Sequence, residues 1–152
     1  DELTGGEIPA YLSQKKAAAF DGSLAENELL ITADTVVWIN NHALNKPEDL
    51  AHAKEMLMEI SGNTHHVFTA VSITSNQKQH TFFEGTKVHF QNLTEAEIDY
   101  YLAKHKPLDK AGAYGIQEFI GYIGIQRIEG DFYNVVGFPV QRFWQELKIF
   151  MR

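Results

Sequence analysis

Two apolar runs, Leu29-Leu30-Ile31 and Val36-Val37-Trp38-Ile39, flank the more polar Thr32-Ala33-Asp34-Thr35, and an Asn40-Asn41 pair follows. The pattern predicts two strand runs with a local break at Asp34-Thr35 and a turn at the asparagines. A carboxylate between apolar strand residues costs roughly several kcal/mol to desolvate unless it is paired, metal-bound or set at a strand end facing a cleft. Two readings carry equal weight here: an Asp-Thr side-chain turn, or a metal-binding or basic carboxylate at the mouth of an α/β sheet.

The rest of the chain alternates between helix and strand periods. Residues 7–20 open with Pro9 near a first helical turn and put Ile8, Tyr11, Leu12, Ala18 and Ala19 on an apolar face, with Gln14 and Lys15 outward. Lys16 reads first as a solvated lysine on that helix. A second helix begins at Pro47, presents Leu50, Ala53, Leu57 and Ile60 on one face and closes at Gly62. Lys46 falls at the positive end of this helix, where a cation is unfavourable. Either a phosphate-sized anion sits between them, or Lys46 pairs with Glu48 or Asp49.

Residues 65–74 and 81–90 alternate and are rich in β-branched and aromatic side chains, which predicts a hairpin. Its adjacent His65 and His66 point to opposite faces and cannot chelate one metal together. Leu93-Thr94-Glu95-Ala96-Glu97-Ile98 is a capping box with a hydrophobic staple, so a helix follows and stops before Pro107. Residues 107–117 lack a period and contain small residues, which suits a binding loop or a tight packing crossing. Two strands are expected at residues 120–128 and 132–136, and a final amphipathic helix carries Val140, Phe143, Trp144 and Leu147.

A chain of 152 residues with 44% hydrophobic and 12% aromatic content suffices for a single domain, residues 1–152, with its own core. No apolar run reaches the ~18 residues that span a bilayer, no secretory signal pattern occurs, and there is no cysteine. The expectation is a cytoplasmic protein without disulfides and without a membrane partner. Thirteen basic against twenty acidic residues give a charge of -7, which disfavours nucleic acid as a partner. A small anion then requires a local basic pocket or a divalent cation. The chain starts Asp1-Glu2-Leu3 with no initiator methionine, so the natural protein is expected to begin earlier.

Several stretches together resemble the Maf-like nucleotide pyrophosphatases, a family named after a septum-formation inhibitor. They are residues 31–37 (ITADTVV), Asn45-Lys46-Pro47, residues 61–71 (SGNTHHVFTAV), residues 109–117 (DKAGAYGIQ) and residues 130–139 (GDFYNVVGFP), in the family's order and spacing. The resemblance implies an α/β fold with a mixed, twisted sheet flanked by helices, of the kind shared with inosine triphosphate pyrophosphatases. It implies hydrolysis of a nucleoside triphosphate to the monophosphate and pyrophosphate with Mg²⁺ or Mn²⁺, and it allows a homodimer.

By the same resemblance Asp34 is the catalytic and metal-binding carboxylate and Thr35 a substrate-selecting neighbour. Lys46 and Lys16 match phosphate-site lysines, Lys110 lies in the matching substrate loop, and Gln117 marks the branch acting on dTTP and UTP. A related branch acting on methylated GTP is acidic in that region. The amide of Gln117 suits the O4 and N3–H edge of uracil or thymine. The family normally opens with a strand and a Ser-x-Ser-Pro-Arg-Arg loop whose arginines contact phosphates. Neither is present, so an N-terminally incomplete domain is expected, and Glu2 is assigned no role. The rival readings are a nucleotide-binding regulator of cell division that catalyses nothing, and a purine triphosphate pyrophosphatase of the same fold.

Overall fold

The computed structural model describes residues 2–152, so the expectation about the start at Asp1 lies outside the described residues. In chain order the elements are α1 (Glu7–Ala18), β1 (Leu30–Ile39), β2 (His42–Leu44), α2 (Leu50–Ile60), β3 (Thr64–Thr74), β4 (Gln79–Phe90) and α3 (Glu95–His105). A 3₁₀ turn (Ala111–Ala113), α4 (Phe119–Gly124), β5 (Ile125–Glu129), α5 (Phe132–Val136) and α6 (Val140–Phe150) complete the chain. The strands form one sheet in the order β2-β1-β3-β4-β5, flanked by helices as expected, and every pairing among the described strands is antiparallel.

The break expected at Asp34 does not occur. β1 pairs with β3 without interruption from Leu30↔Thr74 to Trp38↔His66, and Asp34 sits opposite Ala70. The ladder satisfies the backbone, so no side-chain turn is needed there. β2 covers only Val37 to Ile39 of β1's other side, which leaves the edge from Leu30 to Val36 without a strand partner among the described residues. The Asn40-Asn41 turn forms as expected, both asparagines taking positive φ (49° and 63°), the requirement of a type I′ hairpin.

The two faces of the sheet are covered differently. On one face Val37, Ile39, Val67, Val88 and Phe90 form a core with Ala53, Leu57 and Ile60 of α2 and Ile98 and Tyr101 of α3. Farther along it Val71, Ile73 and Phe82 pack against α6 through Phe143, Leu147 and Phe150. α1 covers the other face, and its inward stripe is Pro9, Ser13 and Ala17, not Tyr11, Leu12 and Ala18. Small residues one helical turn apart let this helix lie close to the sheet. The Oγ of the fully buried Ser13 lies 2.8 Å from that of Ser72, and Thr32 Oγ1 donates to the Ser13 carbonyl at 2.7 Å.

Three further boundaries move. α2 begins at Leu50 behind Asp49, whose carboxylate accepts from His52 N at 2.8 Å, so Pro47 precedes the helix and does not open it. The strand expected over residues 120–128 is α4 followed by β5. The strand expected at residues 132–136 is the one-turn α5, capped by Asp131 and ended at Gly137 with φ 140°. Among the described residues no helix is long and apolar enough to cross a membrane.

Candidate active site

A cavity of about 540 Å³ opens where α1, β1, the β2–α2 loop and residues 109–118 converge. Lys16, Asp34, Thr35, Lys46, Lys110 and Gln117, far apart in the chain, all line it. Asp34 and Thr35 are successive strand residues and so point to opposite faces of the sheet. Both reach the same cavity because it wraps the unpartnered edge of β1.

Asp34 faces α1. Its Oδ1 lies 2.9 Å from Lys16 Nζ, which also donates to the Ala33 carbonyl at 2.9 Å. The aspartate side chain is 19% exposed and the lysine 54%, so one end of the pair is anchored and the other faces open space. Among the described residues only one carboxylate oxygen, Oδ1, is engaged in this way. Lys16 is therefore not the freely solvated lysine its helix position suggested.

On the opposite face Thr35 Oγ1 lies 2.9 Å from Thr69 Oγ1 of the neighbouring strand. Thr69 in turn donates to the Asn134 carbonyl at 3.3 Å. Lys46 projects from the β2–α2 loop, and among the described residues it forms no ion pair with Glu48 or Asp49. The Asp49 carboxylate is committed to capping α2.

Residues 109–118 are pinned from beneath. Gly112 takes φ 72°, and a Cβ there would lie 3.0 Å from Val37 Cγ2, so glycine meets both the backbone and the space requirement. The Tyr114 hydroxyl bonds to His65 Nε2 at 2.7 Å inside the core. Burial first, then the nearby His66 and His89, depress the His65 pKa to about 3, and burial pushes Tyr114 up. The pair is neutral near pH 7 and fastens the cavity floor to β3. His65 Nδ1 has no protein partner among the described residues.

Two parts of the wall were not singled out from sequence. Glu118 lines the cavity and gathers its surroundings: Tyr101 Oη donates to it at 2.6 Å, His105 Nδ1 lies at 3.3 Å and Lys110 Nζ at 3.8 Å. Tyr101 Oη also accepts from Gly115 N at 3.2 Å, which ties the loop to α3. Lys110 therefore stands between carboxylates, 3.4 Å from Asp109 on its other side. The second part is Val135 to Gly137, carried by α5 and held by the fully buried Asn134. Its Nδ2 donates to the Val67 carbonyl at 3.1 Å and to Thr86 Oγ1 at 2.8 Å. The cap at Asp131 and the glycine at 137 were the available signals for this helix.

The cavity thus presents three carboxylates, of Asp34, Asp109 and Glu118, together with three ammonium groups and a side-chain amide. Among the described residues no group of three or more His, Cys, Asp or Glu side chains is arranged to hold a metal by itself. The donor set fits a divalent cation that arrives with a phosphate ligand, since Mg²⁺ commonly takes one or two carboxylates plus phosphate oxygens and water.

A family model described as Maf-like protein matches residues 2–150. The chain is 50% identical over 147 residues to the dTTP/UTP pyrophosphatase of Bacteroides thetaiotaomicron, covering 97% of this chain and 76% of that protein. It is 47% identical over 148 residues to the dTTP/UTP pyrophosphatase of Phocaeicola vulgatus, covering 97% and 77%. With the dTTP/UTP pyrophosphatase of Parabacteroides distasonis the identity is 48% over 150 residues, 99% of this chain and 78% of that protein.

Proposed function

Because this chain belongs to the Maf-like protein family, we propose that it is a nucleoside triphosphate pyrophosphatase that hydrolyses dTTP and UTP to the monophosphate and pyrophosphate. The support from its own residues is the convergence of Lys16, Asp34, Thr35, Lys46, Lys110 and Gln117 on one cavity. Relatives bearing that activity name match across nearly the whole chain.

In this reading the polyphosphate lies along Lys16, Lys46 and Lys110, whose charges offset those of a tetra-anionic ligand approaching an acidic protein. Lys16 fixes the orientation of the Asp34 carboxylate through Oδ1. The other carboxylate oxygen is left to take a proton from water as that water attacks the α-phosphorus. The new bond is water oxygen to phosphorus, the bond broken joins the α-phosphorus to its bridging oxygen, and pyrophosphate departs. A divalent cation, Mg²⁺ or Mn²⁺, held by Asp34 and phosphate oxygens would supply charge neutralisation and polarisation of the phosphoryl group. Gln117, exposed on the cavity wall, offers a donor and an acceptor to a pyrimidine edge. A cytoplasmic location belongs to the same proposal.

Pyrophosphate release from dTTP, UTP, CTP, ATP and GTP by the full-length protein with Mg²⁺ or Mn²⁺ tests the reading. Fastest turnover of dTTP and UTP is expected. Tight UTP binding without pyrophosphate release would identify a nucleotide-binding regulator instead, and faster turnover of ATP or GTP would reassign the base.

A further inference from the structure

Beside Gln117 a second recess, of about 400 Å³, adjoins the first cavity and shares Ile116 and Gln117 with it. Its other walls are mainly apolar: Tyr122 of α4, Ile125 and Ile128 of β5, and Phe132 of α5. Gly121 permits this shape, since any Cβ there would collide with the Ile116 carbonyl. Tyr122 is 73% exposed, so its ring contributes little to the core. Yet the ring is not loose, because its hydroxyl donates to the Gln117 carbonyl at 2.6 Å. Phe132, also exposed, is the other aromatic wall of the same recess.

We propose that this recess receives the pyrimidine base and that Tyr122 is a specificity-determining contact, its ring stacking on the base whose edge Gln117 reads. The inference rests on the pyrophosphatase reading and extends it. A flat heterocycle with polar edges needs apolar faces and a few aimed polar groups, and this recess offers two exposed aromatic side chains, Tyr122 and Phe132, beside Gln117 without a lysine among its walls. Ile116 and Gln117 border both spaces, so in this proposal one nucleotide spans them, phosphates at the lysines and base against Tyr122. The Tyr122 hydroxyl sets the stacking surface and the reading residue relative to each other, so the two act as one unit.

Calorimetric titration of UMP and, separately, of pyrophosphate into full-length wild type, Tyr122→Ala and Tyr122→Phe tests this. Loss of the ring is expected to weaken UMP about tenfold or more, the usual range for base stacking on an aromatic side chain, and to leave pyrophosphate affinity unchanged. Tyr122→Phe, which keeps the ring, should retain most of the UMP affinity. Equal UMP affinity in wild type and Tyr122→Ala overturns the inference while leaving the pyrophosphatase reading intact. A shift in sedimentation from dimer to monomer with UMP affinity preserved also overturns it, because a second copy then covers the recess. Wild type that binds neither UMP nor pyrophosphate and does not hydrolyse UTP removes the parent reading and this inference together.

Discussion

Lys16 Nζ and Asp34 Oδ1 lie 2.9 Å apart across the junction between α1 and β1. The lysine is mostly exposed, so the pair adds little to stability, about 0–1 kcal/mol for such a surface pair. Its value is positional, since it holds the carboxylate facing the cavity and brings a cation to the same place. Lys16→Ala should lower kcat/KM for UTP by about tenfold or more while the thermal midpoint moves by only a few degrees. Steady-state kinetics and a thermal melt on the same preparation check both halves.

Lys46 comes from a loop and has neither neighbouring carboxylate as its partner. Among the described residues its ammonium has no ion-pair partner to give up when a ligand binds. Lys46→Ala should raise the dissociation constant of pyrophosphate by about tenfold, within the range of one charge-assisted hydrogen bond, and leave the circular dichroism spectrum unchanged. Titration with pyrophosphate measures it.

Asn134 holds α5, and through it the wall from Val135 to Gly137, to β3 and β4. Asn134→Leu would leave the Val67 carbonyl and Thr86 Oγ1 short of a donor in a fully buried place. A loss of about 2 kcal/mol or more in unfolding free energy is expected from denaturant titration.

His65 supplies a pH dependence with a definite sign. Burial lowers its folded-state pKa to about 3 against an ordinary 6.5, so the unfolded chain binds the extra proton first. The stability this group contributes is present above pH 6.5 and is lost as pH falls from there toward about 3. His65→Gln should flatten that limb, which in the wild type steepens by up to about 1.4 kcal/mol per pH unit from this residue. Urea unfolding at pH 7, 6, 5 and 4 gives both slopes.

Much of the frame was legible in the sequence because local signals and packing agree there. The Thr94–Glu97 capping box, the double-asparagine hairpin and the β3–β4 alternation each specify one geometry, and each formed. The apolar side of α1 was misjudged because hydrophobicity ranks Tyr11 above Ser13. A buried hydroxyl satisfied by Ser72 leaves no trace in a hydrophobic pattern. The five residues of α5, apolar or aromatic except for Asn134, are too few for periodicity to separate helix from strand, and the bonds of Asn134 that decide the matter come from distant positions.

The cavity was legible only in part. Asp34 invited attention as a carboxylate in strand sequence, and Lys46 as a cation before a helix, but nothing local joins them to Gln117. That link came from resemblance, and the fold brings the three to one place. Glu118 carried no local signal, since its role depends on Tyr101, His105 and Lys110 arriving from α3 and the neighbouring loop.

The central claim is that Asp34 drives attack of water on a nucleoside triphosphate held in this cavity. Its most direct test is stoichiometric release of UMP and pyrophosphate from UTP by the full-length protein with Mg²⁺, compared with Asp34→Asn at matched folding. The account predicts a fall in kcat of about a hundredfold or more with UTP still bound. Turnover by Asp34→Asn near the wild-type rate would contradict it.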